Sequence, residues 1–119
     1  MKEIIIKAKS YAFAVRIVNL YKFLNREKKE FILSKQLLRC GTSVGALIRE
    51  AEYAESKLDF KHKLGIAQKE INETIYWLDL LKDTNYLILE QHESIQKDAI
   101  EIIKIITAII RTLKSATNN

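Results

Sequence analysis

Two histidines, a lone cysteine and two carboxylates three residues apart are the side chains of this 119-residue chain best suited to chemistry. Histidine is the usual proton shuttle near neutral pH. His62 stands between Lys61 and Lys63 and His92 between Gln91 and Glu93, polar settings that predict exposed, non-catalytic rings. Cys40 has no second cysteine for a disulfide and no companions for a zinc site, so it is expected to pack as a small hydrophobe. Di-iron bundles need Glu-x-x-His on inward helix faces. Glu70 and Glu73 are followed instead by Tyr76 and Trp77. No catalytic residue, cofactor or metal site is predicted.

Glu70 and Glu73 lie beside an apolar seam, where a carboxylate without a partner is costly to desolvate. Two readings stand: solvated acids, or an interhelical or intersubunit ion-pair network drawing on Arg39, Arg49 and Glu50, with Ser43 adding a hydrogen bond. Basic residues gather in three places: Lys2, Lys7 and Lys9; Lys22, Arg26, Lys28 and Lys29; and Lys57, Lys61 and Lys63. A ring of identical subunits would multiply such patches into one electrostatic footprint for nucleic acid. The bland alternative is an ordinary solvated surface, because Glu27, Glu30, Glu55 and Asp59 are interspersed.

The elements that must hold these residues are helices. Proline is absent and glycine occurs only at positions 41, 45 and 65, which removes the usual punctuation of hairpins. A first helix is expected from about Ser10 to Lys28, with Ala14, Ile17, Val18, Tyr21 and Leu24 on one face. Six polar residues, 25–30, then turn the chain back. Ser34 is the expected N-cap of a second helix, whose inner stripe runs through Leu37, Cys40 or Gly41, Val44, Leu47 or Ile48 and Ala51. Its small residues permit close approach of a neighbour.

Ser56 and Asp59 approximate a capping box ahead of a third helix with a seam of Phe60, Leu64, Ala67, Ile71, Thr74 or Ile75 and Leu78. Asp83-Thr84-Asn85 ends it. The last segment carries Ile95, Ala99, Ile102, Ile106, Ile109 and Leu113 at four- and three-residue steps. Ile100, Ile103, Ile105 and Ile110 widen that face beyond the needs of one core, so a second subunit is expected against it. Thr117-Asn118-Asn119 is expected to fray.

These elements predict an all-α, antiparallel up-down-up-down four-helix bundle, residues 1–119 forming a single domain about 30 to 40 Å long. A content of 48% hydrophobic and 29% charged residues excludes a disordered chain. The most apolar stretch, residues 102–113, contains Lys104 and Arg111 and is too short to span a bilayer. The single cysteine fits a reducing cytoplasm, and the net charge of +5 is compatible with nucleic acid without requiring it.

The residues between Arg39 and Leu81 carry a resemblance. The run Arg39-Cys40-Gly41-Thr42-Ser43-Val44-Gly45-Ala46, then Ile48-Arg49-Glu50-Ala51, Ser56-Lys57-Leu58-Asp59-Phe60, Ile66-Ala67-Gln68-Lys69-Glu70 and Glu73-Thr74-Ile75-Tyr76-Trp77-Leu78 resembles the bacterial four-helix-bundle proteins associated with intervening sequences of 23S rRNA genes. Leu47 departs from the family pattern, which often has asparagine there. The resemblance implies a homopentameric bundle. It also implies kinship with the accessory proteins of diversity-generating retroelements, basic rings that bind nucleic acid and a reverse transcriptase. No catalytic residue comes with it.

The resulting expectation is a cytoplasmic, non-enzymatic homopentamer that binds RNA or DNA through Lys22, Arg26, Lys28, Lys29, Lys57, Lys61 and Lys63. The rival is a protein-interaction module anchored by the isoleucine face and by Trp77 or Tyr76, without nucleic-acid binding.

Overall fold

The computed structural model describes residues 1–118, with side chains through Ser115. Four helices follow one another: α1 (Lys2–Arg26), α2 (Leu33–Glu52), α3 (Lys57–Asp83) and α4 (Leu89–Asn118). No strand occurs among the described residues. Each helix packs against its neighbours in sequence, and α1 closes the bundle against α4. Cross-helix pairs fix the directions. The Gly45 and Gly41 positions of α2 meet Ser10 and Ile17 of α1, while Arg39 and Lys63 reach between α2 and α3 to Glu73 and Glu50. Gln68 of α3 donates to Thr107 of α4, and Arg16 and Lys9 of α1 bond Asp98 and Glu101 of α4. Every neighbouring pair is thus antiparallel. The longest dimension is 51 Å, beyond the expected rod, because α3 and α4 reach 27 and 30 residues.

The core is aliphatic. Leu37, Cys40, Val44, Ile48 and Ala51 of α2, Leu64, Ala67, Ile71 and Leu78 of α3, and Ile95, Ala99, Ile102, Ile106 and Ile109 of α4 are buried as their periodicity demands. Helix α1 differs from expectation. It starts at Lys2 instead of Ser10, and its inward line is Ile6, Ser10, Phe13, Ile17 and Leu24. Ala14, Val18 and Tyr21 are only half-buried. Apolar residues lie around most of this helix, so several faces satisfied the periodicity and burial selected the one carrying Phe13.

The ends of the helices show how local chemistry sets the loops. Ser34 is not the cap of α2. That role falls to Glu30, whose carboxylate accepts from the amides of Ile32, Leu33 and Ser34 at 3.1, 2.9 and 2.7 Å. Ser34 is buried, and its hydroxyl donates back to the Glu30 carbonyl at 3.0 Å. At α3, the Ser56 hydroxyl accepts from the Asp59 amide at 3.0 Å, and Asp59 in turn accepts from the Glu55 amide at 3.1 Å. Helix α3 stops at Asp83, followed by Asn85 in the left-handed region at φ 70°. Asn119, the end of the tail expected to fray, lies outside the described residues.

Two further expectations are overturned by register. His92 is buried, with 6% of its surface exposed, because it shares the inward line of α4 with Ile95 and Ala99 while Gln91 and Glu93 turn outward. Its Nε2 lies 2.8 Å from Asp79 Oδ1 on α3. The broad isoleucine face is also mostly absorbed within the chain. Ile103, Ile105 and Ile110 pack on the core, and Ile100 alone of the four is exposed, at 39%. A larger uncovered apolar row runs along α1 through Ile4, Tyr11 and Val15.

Candidate nucleic-acid interface

The acids flagged on α3 and the basic residues flagged on α1–α3 occupy separate parts of the bundle. On the α2–α3 seam, the Arg39 guanidinium donates to Glu73 at 2.5 Å and to Glu70 at 3.3 Å. The Trp77 indole N–H donates to the same Glu73 oxygen at 2.9 Å, and Tyr76 packs edge-on against Trp77 with ring centres 5.0 Å apart. The indole hydrogen bond, followed by Arg39, holds the Glu73 carboxyl below its ordinary value, and the hydrogen bond to Glu73 raises the Arg39 guanidinium. Arg49 and Glu50 do not join this cluster. Arg49 is ten residues from Arg39, about 280° around the helix, and stacks its guanidinium over the Tyr11 ring at 5.2 Å. Glu50 bonds Lys63 at 3.4 Å. Behind the cluster, the Thr74 hydroxyl donates to the Glu70 carbonyl at 2.8 Å and lies 3.3 Å from the buried Cys40 Sγ.

The basic residues divide between the two ends of the molecule. Lys57, Lys61 and Lys63 begin α3 at the end that also holds the start of α1. There Lys7 bonds Glu52 at 2.9 Å, and Lys63 is occupied by Glu50. Lys22, Arg26, Lys28 and Lys29 lie at the opposite end, on the last two turns of α1 and the loop to α2, and all four are exposed. Within one chain the two groups are not brought together.

The α1–α2 corner has the more unusual electrostatics. Arg26 stands in the last turn of α1, at the negative end of the helix dipole, which favours positive charge there. Among the described residues, none of the four cations is engaged in an ion pair or hydrogen bond through its side chain. Of the loop's two acids, Glu27 is exposed and Glu30 is turned inward. Burial alone would raise the Glu30 carboxyl, yet the amides of Leu33, Ser34 and Ile32 and the Ser34 hydroxyl outweigh it and hold the group below its ordinary value. Glu30 therefore stays charged but spends its charge on α2 amides, leaving the surrounding cations exposed. Next along the loop, Phe31 is 54% and Ile32 77% exposed. Phe31 was not singled out in the sequence. The signal available was its place directly after the Lys28-Lys29-Glu30 run, without a hydrophobic partner three or four residues before it.

Among the described residues, no group of three or more His, Cys, Asp or Glu side chains could hold a metal, and no helix is long and apolar enough to cross a membrane. Residues 2–108 match the family described as 23S rRNA-intervening sequence protein. A solved structure from Bacteroides thetaiotaomicron, described as a protein of unknown function from the S23 ribosomal protein family, is 60% identical. The similarity covers 93% of this chain and 99% of that one, with a TM-score of 0.92. No curated protein matches. With the match spanning nearly all of the four helices, the chain belongs to the 23S rRNA-intervening sequence protein family.

Proposed function

We propose that this chain is a non-enzymatic, self-associating bundle of the cytoplasm that binds nucleic acid through its α1–α2 corner. The observation that carries this reading is the set of four exposed cations, Lys22, Arg26, Lys28 and Lys29, left without carboxylate partners while Glu30 is held inside. Phosphate oxygens are the complementary ligand for such a group, and binding them releases condensed counterions. The helix ends at this corner are already satisfied, so side chains and not α2 amides make the contacts.

Self-association is supported by the uncovered apolar row Ile4, Tyr11 and Val15 on α1, with Ile100 on α4. A closed ring of copies, a pentamer by the resemblance noted above, would repeat the corner around one rim and convert weak contacts into avid ones. Light scattering on the eluting protein tests the assembly: a mass near five times the 13.8 kDa chain is expected, and a lone monomer removes the ring. Fluorescence anisotropy with labelled RNA and DNA at low salt tests the binding. An anisotropy rise that weakens steeply with added salt is expected, and no rise at low salt removes the reading.

A further inference from the structure

The corner carries more than charge. Its loop is held by the Glu30 cap and by the Glu30 amide donating to the Leu24 carbonyl at 3.0 Å, so residues 30–34 are ordered by their own hydrogen bonds. That fixed backbone nevertheless points two large apolar side chains, Phe31 and Ile32, into water beside Lys28, Lys29 and Lys35. Phe31 stays outside while Glu30 is buried and Leu33 packs partly on the core. The result is an exposed aromatic side chain on an ordered loop backbone that also carries Lys28 and Lys29 and follows the exposed carboxylate of Glu27.

Resting on the nucleic-acid reading above, we infer that the corner recognises unpaired nucleotides, with Phe31 as the platform on which a base stacks. Lys28 and Lys29 neutralise the phosphates on either side of that nucleotide, and Lys22 and Arg26 track the strand along the last two turns of α1. A duplex keeps its bases stacked inside and offers the ring nothing, whereas a single strand exposes π-faces of every base. Charge complementarity favours a polyanion over a protein partner. The exposed lysines of the same loop favour a polyanionic strand over the acyl layer of a membrane, and the other exposed aliphatics at this end, Ile88 and Leu89, belong to the α3–α4 connection and the start of α4, not to the α1–α2 loop.

The test uses the full chain and fluorescein-labelled uridine oligonucleotides of about 12 nucleotides, within the site sizes of single-strand binders, against a paired duplex of equal length. The single strand is expected to bind on the order of tenfold tighter than the duplex, and Phe31→Ala to remove that advantage while leaving duplex affinity unchanged. Phe31→Leu should behave like the alanine variant, because it keeps apolar surface without the π-face. Phe31→Trp should retain binding and show fluorescence quenching on addition of the oligonucleotide that the wild-type protein, with Trp77 alone, does not. Equal affinity for strand and duplex, unaltered by Phe31→Ala, overturns the stacking platform and leaves the phosphate-binding reading intact. Absence of binding to either overturns both. Vesicles of phosphatidylcholine and phosphatidylserine provide the last arm: a blue-shifted Phe31→Trp signal with vesicles and none with oligonucleotide overturns the inference in favour of a membrane surface.

Discussion

A Cβ placed on Gly41 of α2 would lie 2.8 Å from Cγ1 of Ile17 on α1 and 2.9 Å from its Cγ2. Ile17 is fully buried and β-branched, so it cannot swing aside. The glycine is what lets α1 and α2 approach at this level, and neighbouring Gly45 does the same against the Ser10 carbonyl, where a Cβ would stand 3.2 Å away. Gly41→Ala gains roughly 1 kcal/mol of helix propensity but overpacks a filled core, which costs about 1–3 kcal/mol. A net destabilisation of up to about 2 kcal/mol in urea unfolding is expected. Gly65→Ala is the control: a Cβ there meets nothing within 4 Å, so the same change should stabilise by about 0.5–1 kcal/mol.

Glu30→Ala removes the acceptor for three amides at the start of α2. Hydrogen bonds to a charged group contribute about 1.5–3 kcal/mol, and unpaired donors cost more when buried. A loss of about 2–3 kcal/mol in chemical denaturation is expected, with Glu30→Gln losing about half as much. Ser34→Ala, the change that a serine cap would make costly, should cost no more than about 1 kcal/mol, through its bond to the Glu30 carbonyl.

The pH dependence follows from the same groups. Glu30 and Glu73 both titrate below the ordinary carboxyl value of 4.5 in the folded chain. As the pH drops past that value, the unfolded chain takes up these protons before the folded chain does. Their stabilisation is therefore complete at neutral pH and is lost as the pH falls through their lowered values. Thermal melts between pH 7 and pH 3 should show a declining midpoint that is shallower in Glu30→Gln. Glu73→Ala should cost less than about 1 kcal/mol, since Arg39 and Glu73 are both substantially exposed.

Cys40 is sealed between α2 and α3, and burial raises its thiol above the ordinary cysteine value. Alkylation by iodoacetamide at pH 8 should be slower by at least about a hundredfold in the native protein than in urea, because both access and thiolate fraction are reduced. Labelling at the rate of a free thiol would contradict the packing of Thr74 against Cys40.

Long periodic segments made most of the bundle legible in advance. The inward lines of α2 and α4 were readable because polar residues flank each apolar stripe, and that of α3 from its near-heptad seam. Helix α1 was not, since its apolar residues wrap most of the circumference and Ile4-Ile5-Ile6 mark no boundary. His92 was misread because sequence neighbours point to different helix faces, and its partner Asp79 is thirteen residues away. Ser34 looked like a cap on residue type alone, but a carboxylate reaching forward from Glu30 satisfies three amides where a hydroxyl satisfies one. At the corner, the cations were evident and the inward turn of Glu30, which leaves them unneutralised, was visible only in three dimensions.

The most direct test of the central claim is the salt dependence of oligonucleotide binding with Lys22, Arg26, Lys28 and Lys29 all changed to alanine. Each phosphate contact contributes about 0.7 to the slope of log affinity against log salt for single strands. The four-site variant should lose affinity by more than a hundredfold at low salt and show a slope reduced by about 2 to 3, whereas alanines at Lys57 and Lys61, on the opposite end, should leave both nearly unchanged. A variant that binds with the wild-type slope, or a loss that follows Lys57 and Lys61 instead, would contradict the assignment of nucleic-acid binding to the α1–α2 corner.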